Sequence, residues 1–188
     1  HSRDVTSIDY HPDGSQIISG SAGSENNLRV WNAWTGEELA TLSYHTNRVT
    51  SVVYTPDGRF FISGSVDTRY VVWRNEGFEV AHVGKQDTSI DHVDVTVDPE
   101  EWVIAFADTN SITIMNQQWE VISDVSPADF NLDNKITSMR INPTGSLLIV
   151  GFVNGDVGLW DPRTGELTQT FVGSDGRVNA VDFLPHDN

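Results

Sequence analysis

The side chains best suited to binding a cation lie in the segment 126–135, whose sequence is SPADFNLDNK. Asp129, Asn131 and Asp133 alternate along this segment, so a turning backbone could direct three oxygen atoms at one ion. Lys135 could add its main-chain carbonyl. This alternation is the pattern of a calcium-binding loop, and calcium is therefore the one metal that the sequence suggests.

Two residues depart from that pattern. Asn134 stands where the sharp turn of a calcium loop requires glycine, and Arg140 stands where a bidentate Glu would complete the coordination. Arg140 is also expected to lie inside a strand. We therefore interpret segment 126–135 as a solvated turn rich in Asp and Asn. We predict no cofactor, and calcium bound by Asp129, Asn131 and Asp133 is the alternative.

The sequence shows no other arrangement that suits catalysis. It has neither a Gly-rich phosphate loop nor the Gly-x-Ser-x-Gly spacing of a nucleophile elbow. It has no cysteine, which excludes a disulfide scaffold, a thiolate zinc site and a cysteine nucleophile. The histidines have no metal-ligand spacing; they are His1, His11, His45, His82, His92 and His186. These observations predict a protein that is not an enzyme.

The charge balance restricts the class of partner. The chain has 11 Lys and Arg against 27 Asp and Glu, a net charge of −16. Such a surface repels nucleic-acid phosphates and anionic lipids, so we expect no nucleic acid and no membrane as partners. A protein or peptide is the expected partner, and the charge favours a basic one; the alternative is that the acidity serves only solubility. The absence of cysteine leaves the compartment open. The absence of Asn-x-Ser/Thr acceptors disfavours secretion, so an intracellular, cytoplasmic protein is expected.

A repeated pattern of short strands must position any functional residue. Segment 49–73 alternates apolar and polar residues on both sides of a Pro-Asp-Gly turn and closes on Trp73, and segment 5–31 follows the same order. Prolines mark the first turn of each copy at spacings of 44, 43, 44 and 42 residues: Pro12, Pro56, Pro99, Pro143 and Pro185. A period of about 40–45 residues with about four strands per copy is typical of a propeller.

These repeats resemble the WD-repeat (WD40) β-propeller family, whose copies carry a Gly-His pair, a Pro-Asp-Gly-like turn, a Ser-Gly-Ser strand and a closing Trp-Asp. The resemblance covers all 188 residues. It implies an all-β fold with four blades of four antiparallel strands and the first strand of a fifth, as part of a ring of about seven blades. Within this one domain, residues 1–188, the expected blades are about 1–44, 45–87, 88–131 and 132–173, and the fifth begins at about 174–188.

The resemblance also implies a buried polar network, the family's structural tetrad, in the second blade. Its members would be His45, either Ser63 or Ser65, Asp67 and Trp73. A Ser, a His and an Asp so placed are interpreted as structural, because a closed hydrogen-bonded chain stabilises a blade. In the third blade the network cannot form, since proline spacing places Thr88 at the histidine position and Met115 replaces the tryptophan.

Function follows from the resemblance as an expectation. WD-repeat propellers are rigid, non-enzymatic interaction scaffolds, and partners dock most often on the top face. This face consists of the loops between the outer strand of one blade and the inner strand of the next, and of those between the second and third strands. The alternatives are a structural subunit of a multi-subunit complex and a cation-binding or enzymatic propeller that uses the Asp129–Asp133 loop. Trp34, in a bottom-rim hairpin, is expected to lie across the neighbouring blade, with a bottom-rim contact as the alternative. The candidate partner-binding residues on the top face are Arg3, Asn47, Arg48, Val66, Arg69, Asp87, Asp108, Asn110, Asn154 and Arg177.

Overall fold

The structure, a computed structural model, describes residues 1–24, 27–96, 98, 100–127, 135–173 and 176–184. These residues form sixteen β-strands in four antiparallel sheets of four strands, and they contain no α-helix. The all-β fold with four-stranded blades is therefore confirmed. No helix among the described residues is long and apolar enough to cross a lipid bilayer.

Each sheet is a meander in which consecutive strands are neighbours. The first two sheets consist of β1 (Val5–Tyr10), β2 (Gln16–Ser21), β3 (Leu28–Asn32) and β4 (Glu38–Leu42), then β5 (Val49–Tyr54), β6 (Phe60–Ser65), β7 (Arg69–Arg74) and β8 (Val80–Lys85). The last two consist of β9 (His92–Val95), β10 (Val103–Ala107), β11 (Ile112–Asn116) and β12 (Val121–Val125), then β13 (Ile136–Ile141), β14 (Leu148–Phe152), β15 (Val157–Trp160) and β16 (Leu167–Phe171).

The chain divides into two compact units, His1–Val93 and Asp94–Asn188. In the first unit, apolar residues of the first two sheets form one core, which includes Ile18, Val49, Phe61 and Trp73. These side chains are at most 3% exposed, and burying each contributes about 1.5–3 kcal/mol to folding. In the second unit, a core of the same kind is built mainly from β10, β11, β13 and β14.

The first strand of each sheet is its inner strand: β1, β5, β9 and β13. Side chains of one inner strand form hydrogen bonds with the backbone of the next inner strand. In the first unit, β1 supplies a hydroxyl donor, a hydroxyl acceptor and a carboxylate acceptor to β5 in this way. Because the accepted and donated groups are main-chain groups, this device fixes the register of neighbouring sheets independently of side-chain packing. The bonds run from Thr6 Oγ1 to the Val49 carbonyl (2.6 Å), from the Val52 N–H to Ser7 Oγ (3.1 Å) and from the Tyr54 N–H to Asp9 Oδ2 (2.7 Å).

The same bonds recur elsewhere and define equivalent positions. The Thr50 hydroxyl bonds the carbonyl of Ile90, and Ser51 Oγ accepts the N–H of Val93 at 3.2 Å. In the second unit, Thr137 Oγ1 donates to the Val178 carbonyl at 2.6 Å. Ile90 is therefore the counterpart of Val49.

This equivalence corrects the register that the proline spacing predicts for the third repeat. Four residues before Ile90 is Gln86, whereas His45 lies four residues before Val49, so the histidine position falls on Gln86 and not on Thr88. The cause is a longer turn in the third sheet. Thr96 bonds Val103 seven positions later, whereas the equivalent bond in the second sheet joins Thr55 to Phe60, five positions apart. Two additional residues in this turn displaced Pro99 from the position of the other turn prolines.

Candidate functional site

A chain of hydrogen bonds runs through the second sheet at the positions that the resemblance predicts for the tetrad. The indole N–H of Trp73 donates to Ser63 Oγ at 3.1 Å, and Ser63 Oγ lies 2.8 Å from His45 Nε2. On the other side of the ring, His45 Nδ1 lies 3.1 Å from Asp67 Oδ2. An ionised carboxylate can only accept, so the His45 Nδ1–H donates to Asp67. In a neutral ring Nε2 is then an acceptor, and the Ser63 hydroxyl donates to it. Every member of the chain has a partner.

Electrostatics keep the imidazole neutral and the carboxylate charged. Burial lowers the pKa of His45, and the nearby Asp67 carboxylate only partly opposes this effect. Burial alone would raise the pKa of Asp67, but hydrogen bonds from the Thr46 N–H, the Arg69 N–H and the His45 ring lower it on balance. The Asp67 side chain is 4% exposed. The pair is thus a neutral histidine held by a buried carboxylate.

The network has no catalytic geometry. Ser63 is completely buried and His45 is 1% exposed, so no substrate can reach the hydroxyl. Ser63 Oγ also accepts the Trp73 N–H, which holds the hydroxyl inside the sheet. The arrangement joins β6, β7 and the loop before β5, and its chemical effect is to hold them rigidly.

Ser65, the other candidate for the bridging hydroxyl, has a different function. Its hydroxyl donates to the Arg48 carbonyl at 2.8 Å and accepts the Asp67 N–H at 3.1 Å. Asp67 in turn accepts the Thr46 N–H at 3.0 Å. Ser63 therefore bridges His45 and Trp73, whereas Ser65 joins the loop 45–48 to the β6–β7 turn.

The first sheet contains a shorter version of this hydrogen-bond network, which was not predicted from the sequence. His1 Nε2 lies 2.6 Å from Ser19 Oγ, which also accepts the Trp31 indole N–H at 2.8 Å. His1 Nδ1 is buried without a hydrogen-bond partner among the described residues. The equal spacing of 18 residues from His1 to Ser19 and from His45 to Ser63 was the signal that could have revealed this network.

The third and fourth sheets lack the bridging hydroxyl. Strand pairing places Phe106 and Val150 at the position of Ser63, and Met115 occupies the tryptophan position of the third sheet. The network of the second sheet cannot form without these groups, so apolar packing holds both sheets.

The candidate docking residues divide into exposed and enclosed positions. Arg69 is half-buried, and Asp108 is 7% exposed. The carboxylate of Asp108 accepts the N–H groups of Asn110 and Ser111, both at 2.7 Å, so it closes the β10–β11 turn. The structure therefore does not present Asp108 at the surface as expected. The exposed candidates are Arg3, Asn47, Arg48, Val66, Asp87, Asn110, Asn154 and Arg177.

Asn27 supports the loop 45–48. It was not among the functional residues predicted from the sequence. Its completely buried side-chain amide donates to the main-chain oxygens of Gly23, His45 and Asn47, the last at 2.9 Å. The β2–β3 turn of the first sheet is thereby joined to the loop before β5. An Asn in a polar loop gave no sequence signal that distinguished it from a solvated residue.

The remaining sequence expectations have different outcomes. Asp129, Asn131 and Asp133 lie outside the described residues, so calcium binding stays an alternative prediction. Within the described ranges, no three His, Cys, Asp or Glu side chains are grouped to hold a metal ion. Trp34 is 77% exposed, so the expectation that its ring lies across the neighbouring blade is wrong.

Comparison with known proteins identifies the repeats. The family model described as WD domain, G-beta repeat matches residues 1–32 and 36–74, and the model of the anaphase-promoting complex subunit 4 WD40 domain matches residues 97–185. The chain belongs to the WD-repeat β-propeller family. Proteins named eukaryotic translation initiation factor 3 subunit I are similar to this WD-repeat chain. Those from Drosophila grimshawi and Drosophila mojavensis are each 28% identical over 180 residues, 88% of this chain and 53% of the relative. The WD-repeat chain thus spans about half the length of these relatives.

Proposed function

We propose that this chain is a non-enzymatic protein-interaction scaffold that presents top-face loops to a partner protein. The observation that carries the proposal is the way in which the loops are fixed from below. The buried network and Ser65 bond the loop 45–48 to the β6–β7 turn, while Asn47, Arg48 and Val66 remain exposed on those segments. A side chain presented on a rigid backbone loses little entropy when it is bound, so a few contacts can give useful affinity.

We also infer that the parent protein is a subunit of a multi-subunit complex. The similarity to translation initiation factor 3 subunit I supports this inference and a cytoplasmic location. The net charge of −16 favours a partner segment that is basic where it meets the top face.

We further propose that the four sheets belong to a larger ring of about seven blades. Exposure of the inner strands supports this proposal. Val5, Ile8 and Tyr10 of β1 are 53%, 62% and 57% exposed. Their counterparts in β5, which the first sheet covers, are at most 3% exposed: Val49, Val52 and Tyr54. A further blade packed on β1 would bury this apolar face as the first sheet buries that of β5.

Co-purification tests the scaffold function. The natural protein, affinity-tagged and isolated from cytoplasmic extract, is expected to bring with it other subunits of translation initiation factor 3, detected by mass spectrometry. Asp87→Lys should reduce their recovery, because it replaces an exposed top-face carboxylate with a charge that repels a basic partner segment. Asp124→Lys makes the same charge change on the outer strand β12 and should not. Recovery of the protein alone, or equal effects of both variants, would contradict the proposal.

A further inference from the structure

A cavity opens at the bottom of the second sheet, on the edge opposite the loop 45–48. It has a volume of about 330 Å³ and lies between the β5–β6 turn and the β7–β8 turn. Phe60 and Arg74 are a cross-strand pair at this edge, and the Arg59 guanidinium lies over the Phe60 ring, 5.6 Å from its centroid. The Asn75 N–H donates to the Arg59 carbonyl at 2.9 Å, which joins the two turns across the cavity.

Two unpaired arginines line this cavity. Arg59 and Arg74 are both exposed, and neither guanidinium forms an ion pair with any residue that the structure describes. The nearby Asp57 carboxylate is used within its own turn, where it accepts the Arg59 N–H at 3.0 Å. Glu76 is the single acidic residue of the lining. The cavity is thus locally positive on a chain with a net charge of −16, and its fork-shaped donors match a carboxylate.

Asn75 distinguishes between kinds of anion. It lines the same cavity, and its Oδ1 is buried without a hydrogen-bond partner among the described residues. An unsatisfied buried acceptor favours a ligand that brings a donor. An acidic residue in a peptide offers its own backbone N–H beside its carboxylate, whereas the phosphodiester of a nucleic acid offers acceptors only. The apolar Phe60 ring adds a surface for the aliphatic part of an acidic side chain.

We propose that this cavity, formed around Arg59, Phe60, Arg74 and Asn75, is a docking site for an acidic segment of a protein, which inserts a Glu or Asp side chain between the two arginines. The site is separate from the top-face loops and selects the opposite charge. The same sheet can therefore engage a basic segment at one edge and an acidic segment at the other.

Binding of a fluorescein-labelled hexaglutamate peptide to the natural protein, followed by fluorescence anisotropy at low salt, tests the proposal. The double variant Arg59→Gln/Arg74→Gln is expected to weaken binding by about tenfold or more, because the carboxylate loses both charged donors. The matched control Lys85→Gln/Lys135→Gln removes two positive charges from exposed side chains elsewhere and should change the affinity by less than about twofold.

Three results would overturn the proposal. The natural protein could fail to bind the peptide, the control variant could weaken binding as much as the cavity variant, or an unlabelled hexauridylate could displace the peptide as well as unlabelled hexaglutamate does. The last result would assign the site to phosphate recognition. Circular dichroism melts of all variants should coincide with that of the natural protein, since Arg59 and Arg74 have exposed side chains outside the core.

Discussion

At the scale of the residue, Ser63 is the member on which the buried network depends. Its hydroxyl accepts a hydrogen bond from the Trp73 N–H and donates one to His45 Nε2. A buried polar group without a partner costs about 1–3 kcal/mol, so removing one atom here affects two groups at once. The sequence indicated two possible serines, and periodicity could not choose between them because Ser63 and Ser65 are both fully buried and on the same face of β6.

Ser63→Ala is expected to lower the free energy of unfolding by about 2–4 kcal/mol, because the His45 imidazole and the Trp73 indole would both be left unsatisfied. The measurement is urea unfolding followed by tryptophan fluorescence. Ser19→Ala in the first sheet is the comparison and should cost less, because His1 and Trp31 are only half-buried and water can replace the lost bond. Equal losses in the two variants would refute a special contribution of the complete network.

At the scale of the element, the inner strands are joined by side chain to main chain bonds as well as by packing. Asp9 accepts the Tyr54 N–H at 2.7 Å in the first unit, and Asp94 accepts the Ile141 N–H at the same distance in the second. Asp94 is 8% exposed, and burial raises its pKa although the Ile141 N–H and the Arg140 guanidinium oppose this. The recurrence of an aspartate at equivalent places indicates a structural device of the inner strands.

Asp9→Leu is therefore expected to destabilise the protein by about 1–3 kcal/mol, since it leaves a main-chain N–H of β5 without its acceptor. Asp9→Asn keeps an acceptor oxygen and should cost less than half as much. Hydrogen exchange gives the local reading: the Tyr54 amide should exchange faster in Asp9→Leu than in Asp9→Asn. Unchanged exchange at Tyr54 in both variants would show that packing alone holds the two strands.

Elements were predictable where the alternation of apolar residues and the turn residues agreed. The strand order and the three-strand motif of the second repeat, for example, follow from Val49–Tyr54 and Phe60–Ser65. The third repeat could not be registered, because its turn between Thr96 and Val103 is longer and a proline within it is a poor marker of position. Bonds such as that from Thr50 to the Ile90 carbonyl depend on the approach of two sheets, which strand periodicity does not encode.

At the scale of the whole molecule, the open face of β1 determines how the chain should behave in solution. Apolar surface that a neighbouring blade covers elsewhere favours association when it is exposed. We expect the 188-residue chain to self-associate in sedimentation velocity experiments, and a protein in which the proposed further blades complete the ring to be monodisperse.

The double variant Ile8→Lys/Tyr10→Lys tests whether a further blade covers the face of β1. In the 188-residue chain it should reduce self-association, because charge replaces the exposed apolar face. In the natural protein it should instead lower the melting temperature, because the same positions would be buried under a further blade. A natural protein whose melting temperature is unaffected would show that no blade covers β1.

In the side chain to main chain bonds of the inner strands, the side chain belongs to one inner strand and the main-chain group belongs to the segment that follows it in the sequence. This is also the order in which a ribosome releases the chain. Val178 already donates its N–H to the Phe152 carbonyl at 3.0 Å and receives the Thr137 hydroxyl, although the described residues around it belong to none of the four sheets. A blade can therefore offer its hydrogen-bonding groups to the segment that follows it in the sequence, as the fourth sheet does to Val178. Synthesis and assembly can proceed in the same order, so the face of each new blade is covered as the next one is made, while the face of β1 stays open.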